Sequence, residues 1–208
     1  MPLTLRIDRD VCPQIQDYQV RFDHDLDGTP MTELVPDWSL RRVSAINDGQ
    51  IGELADLLID CVGGGASVGF MRPLSRDRAL SFWRGVAASV AAGDRALLVA
   101  EDAAGVCGSV QLVLLQPDNQ PHRADLSKML VHRRVRRQGL GAALVRAAEA
   151  TARECGKTLL VLDAVTGGDA ARLYERLGWT RVGDIPGYAL FPDGSACSTT
   201  VYYRNLGE

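Results

Sequence analysis

Lys128-Met129-Leu130-Val131-His132-Arg133-Arg134-Val135-Arg136-Arg137-Gln138-Gly139-Leu140-Gly141-Ala142 is the stretch on which the reading of this chain turns. It runs from an apolar strand through a basic turn with glycines into a helix. Glycine lets the backbone approach a ligand without a Cβ in the way. The first N–H groups of a helix have no partner within it and sit at the positive end of its dipole. Together they form an anion site suited to phosphate, and Arg136 and Arg137 add charge beside it. Two glycines in a first helical turn cost about 1 kcal/mol each against alanine, so a purely structural helix start explains them poorly. The stretch contains no GxxxxGK[ST] and no GxGxxG after a first strand, which argues against an NTPase and a dinucleotide dehydrogenase.

Outward from this segment the pattern is regular. Gly139–Cys155 reads as the clearest helix, with Leu140, Leu144, Ala147, Ala148, Thr151 and Cys155 on one face. Upstream, Ser39–Ser44, Arg95–Glu101, Val106–Leu115 and Arg123–His132 read as strands, and Asp48–Val62 and Ser75–Ala92 as helices. Downstream, Thr158–Asp163 is a short buried strand and Asp169–Leu177 a helix. Trp179–Tyr188 and Thr199–Leu206 close the chain as strands, joined through Pro192-Asp193-Gly194. The order is β-α-α-β-β-β-α-β-α-β-β, with no internal repeat.

The chain has 208 residues and a formal charge of −3, a length that favours one globular domain over two. Residues 1–38 carry a net −5 and the remainder a net +2. The first segment lacks a sustained period and is read as an acidic extension, either disordered or packed against the body or a second subunit. No apolar run is long enough to span a bilayer, and the start lacks a secretion signal. The five cysteines are far apart, without CxxC or Cys/His spacing. A reduced, cytoplasmic protein without a metal site is expected, with Cys107 and Cys155 in the core. The Arg133–Arg137 cluster has no aromatic neighbours for stacking, so nucleic acid is not expected as a partner.

Arg136-x-x-Gly139-x-Gly141 after Met129-Leu130-Val131 resembles the [QR]-x-x-G-x-[GA] motif of the GCN5-related N-acetyltransferases, the GNAT superfamily. Ala170-x-x-Leu173-Tyr174-Glu175-x-x-Gly178-Trp179 resembles that family's second block, and the order of elements matches over residues 39–206. The resemblance implies an α/β (α+β) fold, with a central mixed, mostly antiparallel sheet flanked by helices. It places acetyl-CoA, the co-substrate, in the cleft between the splayed fourth and fifth strands. Met129, Leu130, Val131, Arg136, Arg137, Gln138, Gly139, Leu140, Gly141 and Ala142 would then hold it. Tyr174 takes the position of the acid that protonates the departing thiolate. Gly167 stands where many members carry an asparagine, so that contact to the cofactor arm is absent or supplied otherwise. Asp163, at the end of its strand beside the cleft, reads as the base that takes a proton from the acceptor's ammonium. His132 reads as solvated or phosphate-adjacent.

A narrower similarity, in Gly64–Met71 and Thr180–Tyr188 with Pro192-Asp193-Gly194, is to the tabtoxin-resistance acetyltransferases, which acetylate the amino group of tabtoxinine-β-lactam. It implies a small amine acceptor that also bears a carboxylate, held by backbone donors of the Gly63–Phe70 loop, with Gly65, Ser67 and Phe70 at the acceptor side. A polyamine, aminoglycoside or protein N-terminus as acceptor, or a non-catalytic acetyl-CoA-binding module, stays open beside it. The expected assembly is a monomer or homodimer.

Overall fold

In the computed structural model the described residues are 5–7, 20–22 and 37–207, the first two segments by backbone alone. β1 (Leu5–Ile7) and β2 (Val20–Phe22) pair antiparallel as a separate two-stranded ribbon. The rest of the expected extension, residues 1–38, lies outside the described residues apart from its last two. Of those, Trp38 already belongs to the main sheet. β3 (Trp38–Val43) is followed by α1 (Asp48–Gly63), α2 (Arg76–Ala91), β4 (Arg95–Asp102), β5 (Gly105–Val113) and β6 (Arg123–Val131). A 3₁₀ turn at Arg133–Val135 leads into α3 (Leu140–Glu154), β7 (Leu159–Val165), α4 (Asp169–Arg176), β8 (Thr180–Leu190) and β9 (Ala196–Asn205).

Local chemistry sets the helix ends. Asn47 accepts from the Gln50 amide at 2.9 Å, and the Gln50 side chain accepts from the Asn47 amide at 3.1 Å, a reciprocal box that starts α1. Ser75 starts α2 by accepting from the Arg78 amide. α3 begins after Gly139, whose φ of +83° only glycine adopts without strain.

The seven strands from β3 onward run in the order β3-β4-β5-β6-β7-β9-β8, antiparallel except for β6 and β7. That parallel pair is joined through α3, the crossover that parallel neighbours require. β6 and β7 share three residue pairs, Arg123 with Leu159, Ala124 with Leu160 and Asp125 with Val161, and then part. The cause lies on the other side of β6. Its register against β5 shifts between Ser109 and Gln111, opposite Lys128, which adopts φ +48°. A bulge of this kind bends its strand, and here it leaves Leu126–Val131 without a strand on the β7 side.

Two apolar layers cover the sheet. Leu98, Val110, Leu112, Leu126, Leu160, Leu162 and Tyr202 pack beneath α3 and α4. Leu97, Val99 and Leu130 meet Leu54, Leu58 and Trp83 of α1 and α2 on the opposite face. A buried polar contact ties α3 to the start of β8, where Trp179 Nε1 donates to Glu149 Oε1 at 2.9 Å.

The elements from β3 onward fall within three residues of where the apolar periods place them, and three further points differ. β7 continues to Val165, so Asp163 sits inside the strand, opposite Val201 of β9, and not at its end. The 3₁₀ turn carries no periodic signal at three residues. Cys155 caps α3 half-buried, while Cys61, Cys107 and Cys197 are buried. Among the described residues no helix is long and apolar enough to cross a membrane, and no group of three or more His, Cys, Asp or Glu could hold a metal ion.

Candidate active site

The opening between β6 and β7 is a wedge with α3 at one end. The first bond inside α3 runs from the Ala143 amide to Gly139 O at 3.1 Å. The amides of Leu140, Gly141 and Ala142 therefore have no partner within the helix, and no side chain caps that end. Arg137 precedes them at φ +65°, one of two non-glycine residues in the left-handed region among the described residues. Backbone held there marks a loop whose shape the surroundings impose. A Cβ on Gly139 would meet nothing, whereas one on Gly141 would come within 3.1 Å of Leu173 Cδ2 in α4. Gly139 thus serves the turn, and Gly141 also lets α3 start close against α4.

The basic run divides into two jobs. Arg133 reaches Asp60 of α1, with Nη2–Oδ1 at 2.8 Å and its amide donating to Oδ2 at 3.1 Å. Arg134 grips Asp102 through Nε and Nη2, both at 2.9 Å, and also donates to Gly105 O at 3.0 Å. His132 accepts from the Arg134 amide at 3.1 Å and stands 3.6 Å from Asp60, so it caps the turn. Burial alone would raise the Asp60 carboxyl, but the bonds from Arg133 and the charges of His132 and Arg133 outweigh it and hold it below the ordinary value. The Arg134 guanidinium likewise holds Asp102 low. Arg136 donates to Val131 O at 3.2 Å, leaving Arg136 and Arg137 as the arginines beside the helix start.

Met129, Leu130 and Val131 form the end of β6. Leu130 is buried under α1 and α2, and Met129 and Val131 are half-buried against the α3 layer. Tyr174 of α4 is buried, its ring 5.5 Å from that of Trp179 and 6.1 Å from that of Tyr202. Burial pushes its hydroxyl up and the charge of Asp163 adds to the push, so Tyr174 stays protonated at neutral pH. Asp163 is exposed, on the face of β7 opposite the buried Leu160 and Leu162, and its charge also acts on Lys128. Asp163 thus lies near enough to both Tyr174 and Lys128 of β6 for its charge to act on them.

The Gly63–Phe70 loop differs from its expected use. The amides of Gly64, Gly65 and Ala66 donate to Asp60 O, Val62 O and Cys61 O at 2.9–3.0 Å, closing the end of α1. Gly65, expected to face an anion, spends its amide on the helix because an uncapped helix end must be satisfied first. Ser67 Oγ donates to Leu190 O at 2.9 Å. Phe70 packs edge-on against Phe82 at 5.2 Å, with Arg78 over its ring at 5.7 Å. The loop is a fixed wall of the wedge, tied to the β8–β9 end. Lys128 escaped the sequence reading. An alternating strand would give no reason to turn it toward α2, and the bulge that does so leaves no local mark in the sequence.

The chain is similar to known proteins in sequence and in fold. Residues 93–181 match the family model described as "Acetyltransferase (GNAT) domain". An uncharacterized N-acetyltransferase of the hisH–hisA intergenic region of Azospirillum brasilense is 31% identical over 129 residues, 61% of this chain and 75% of the relative. Among solved structures, yncA, a proposed acetyltransferase from Salmonella typhimurium with its cofactor acetyl-CoA, superposes with a TM-score of 0.68 at 22% identity, covering 83% of this chain and 95% of its own. An N-acetyltransferase from Staphylococcus aureus Mu50 gives a TM-score of 0.68 at 14% identity, covering 82% and 99%. At these identities the likeness to the solved structures is one of fold.

Proposed function

Because the chain belongs to the GNAT family and is an acetyl-CoA-dependent N-acetyltransferase, we propose that it acetylates the amine of a small amino-acid-like acceptor, with tabtoxinine-β-lactam as the specific candidate. One observation carries the choice of acceptor. The two segments that resemble the tabtoxin-resistance enzymes, Gly64–Met71 and Thr180–Tyr188 with Pro192-Asp193-Gly194, are far apart in sequence yet are held side by side through bonds that each join one of them to a residue flanking the other. Ser67 Oγ donates to Leu190 O and the Arg72 amide to Pro192 O, both at 2.9 Å. A shared acceptor pocket requires that juxtaposition.

The residues present fit acetyl-CoA. The open amides of Leu140–Ala142, with Arg136, Arg137 and Gln138 beside them, suit its pyrophosphate. The β7-side edge of Met129, Leu130 and Val131, which pairs with no strand, suits its amide-bearing arm. The cofactor supplies a thioester, and the chain supplies positioning and proton transfer. Asp163 pairs with the incoming ammonium and accepts its proton, directly or through water. Tyr174 gives its hydroxyl proton to the departing sulfur, whose thiol value near 8.5 makes a neutral leaving group favourable at neutral pH.

A thiol-release screen with acetyl-CoA against amino acids, tabtoxinine-β-lactam, polyamines, aminoglycosides and a histone-tail peptide tests the reading. Turnover on an amino acid or the β-lactam above the other classes is expected. Good turnover on spermine or the peptide, with none on any amino acid, overturns it.

A further inference from the structure

Lys128 lies on the bulge of β6, turned toward α2, its Nζ 5.8 Å from the Phe82 ring centroid and 3.7 Å from the position a Cβ on Gly69 would take. It sits in the left-handed region at φ +48°, a conformation that costs energy for a residue with a Cβ. Beside it the same face of the sheet carries Arg95 of β4 and Gln111 of β5. Arg95 Nη1 donates to Gln111 Oε1 at 2.6 Å. Gln111 is completely buried, and its Nε2 has no hydrogen-bond partner among the described residues. That bond fixes which end of the amide is left as a donor.

Two half-buried cations and a buried N–H donor therefore stand together. No carboxylate of the described residues forms an ion pair with either cation. Burial disfavours the charge on both Lys128 and Arg95, and Arg95 adds repulsion at Lys128. The Phe82 ring offsets part of this. Buried charge and buried donors are normally paired, so the cluster has the electrostatics of an anion site that the chain itself leaves unfilled. Across the wedge, Asp163 on β7 supplies the opposite sign, near enough for its charge to act on Lys128.

We propose that the Lys128 ammonium, backed by Arg95 and the Gln111 amide, anchors the carboxylate of the acceptor. With Asp163 receiving the ammonium, it makes the wedge complementary to an amino-acid zwitterion. This rests on the reading that the acceptor is amino-acid-like, and it moves the anion-binding role from the loop amides, which close α1, to a side chain of β6.

The test is steady-state acetyl transfer by the wild type and by Lys128→Met on α-amino acids and tabtoxinine-β-lactam, each beside its primary amide. A charge-assisted contact to a carboxylate predicts that the wild type prefers acid over amide by about 10- to 100-fold in kcat/KM. In Lys128→Met that ratio should collapse toward one through a raised KM for the acid, with the amide unaffected. Lys128→Arg should keep much of the ratio. A general weakening of the fold would lower acid and amide together and leave the ratio standing. If Lys128→Met loses acetyl-CoA binding by calorimetry, the ratio is read on Lys128→Gln, which keeps a polar side chain of similar reach. A wild type that prefers the acid beside a lysine variant that prefers it equally overturns the anchor and leaves the amino-acid reading intact. A wild type that acetylates amides as well as acids, or polyamines in their place, overturns both.

Discussion

Tyr174 sits in the core by its ring and near the wedge by the charge it feels. Its two roles separate on substitution. Tyr174→Phe keeps the packing against Trp179 and Tyr202 and removes the proton. It should lower kcat by about 10²-fold with acetyl-CoA affinity unchanged by calorimetry, because a group that acts only as the thiolate departs stabilises the transition state alone. A lowered melting temperature with unaltered kcat would make it a core tyrosine only. Asp163→Asn should slow turnover most at low pH, where the ammonium is hardest to deprotonate; a loss that is uniform across pH would assign Asp163 to binding alone. Both side chains were candidates in the sequence, Tyr174 through the resemblance of its block and Asp163 as a carboxylate after four apolar residues. Lys128 was not, because its direction depends on a register shift between two strands. Nor were the carboxylates that Arg133 and Arg134 grip, 73 and 32 residues away, since nothing local in a charge run says which members turn inward.

At the level of elements, the start of α3 is the feature with the sharpest consequence. Gly139→Val places a β-branched residue at φ +83°, where the open surroundings offer no clash but the backbone is strained. Acetyl-CoA binding should be abolished while the circular dichroism of the fold persists; unchanged affinity would remove the loop from the binding site. Gly141→Val is a poorer probe, because it also presses on Leu173. The 3₁₀ turn before α3 is held by the grip of Arg134 on Asp102, and Arg134→Ala should weaken acetyl-CoA by roughly 10-fold through loss of a bidentate contact. Because the folded state holds the Asp102 carboxyl below its ordinary value of 3.8, this grip is complete above that value and fades as pH falls through the lowered one. The melting temperature should therefore fall as pH drops below about 4 in the wild type, and fall less over the same range in Asp102→Asn. The helix itself was plain from its apolar face and its glycine start. The turn was not, since three residues are too few to show a period.

For the molecule as a whole, burial of Glu149 raises its carboxyl despite Arg204 and the Trp179 bond, so the folded state is penalised for keeping it ionised at neutral pH. Glu149→Gln retains an acceptor for Trp179 and should leave the melting temperature equal or higher at pH 7, any gain vanishing as pH falls and Glu149 itself takes up a proton. A drop of more than about 4 °C, on the order of 1 kcal/mol for a chain of this size, would show that the charge is needed. The strand–helix–strand order from Arg123 to Asp163 was legible, whereas the parallel pairing of β6 with β7 is given by the structure. The parting of the two strands followed only from the family resemblance, because no residue of β7 announces where its neighbour leaves. That parting divides the sheet into β3–β6 and β7–β9, seamed by three residue pairs. Seen mechanically it is a zipper left open along half its length, and a ligand with amide groups of its own can act as the missing teeth. Acetyl-CoA should then slow hydrogen exchange at the backbone of Leu126–Val131 and raise the melting temperature with the logarithm of its concentration, so that the protein is stiffest across its middle only while it holds the molecule it works on.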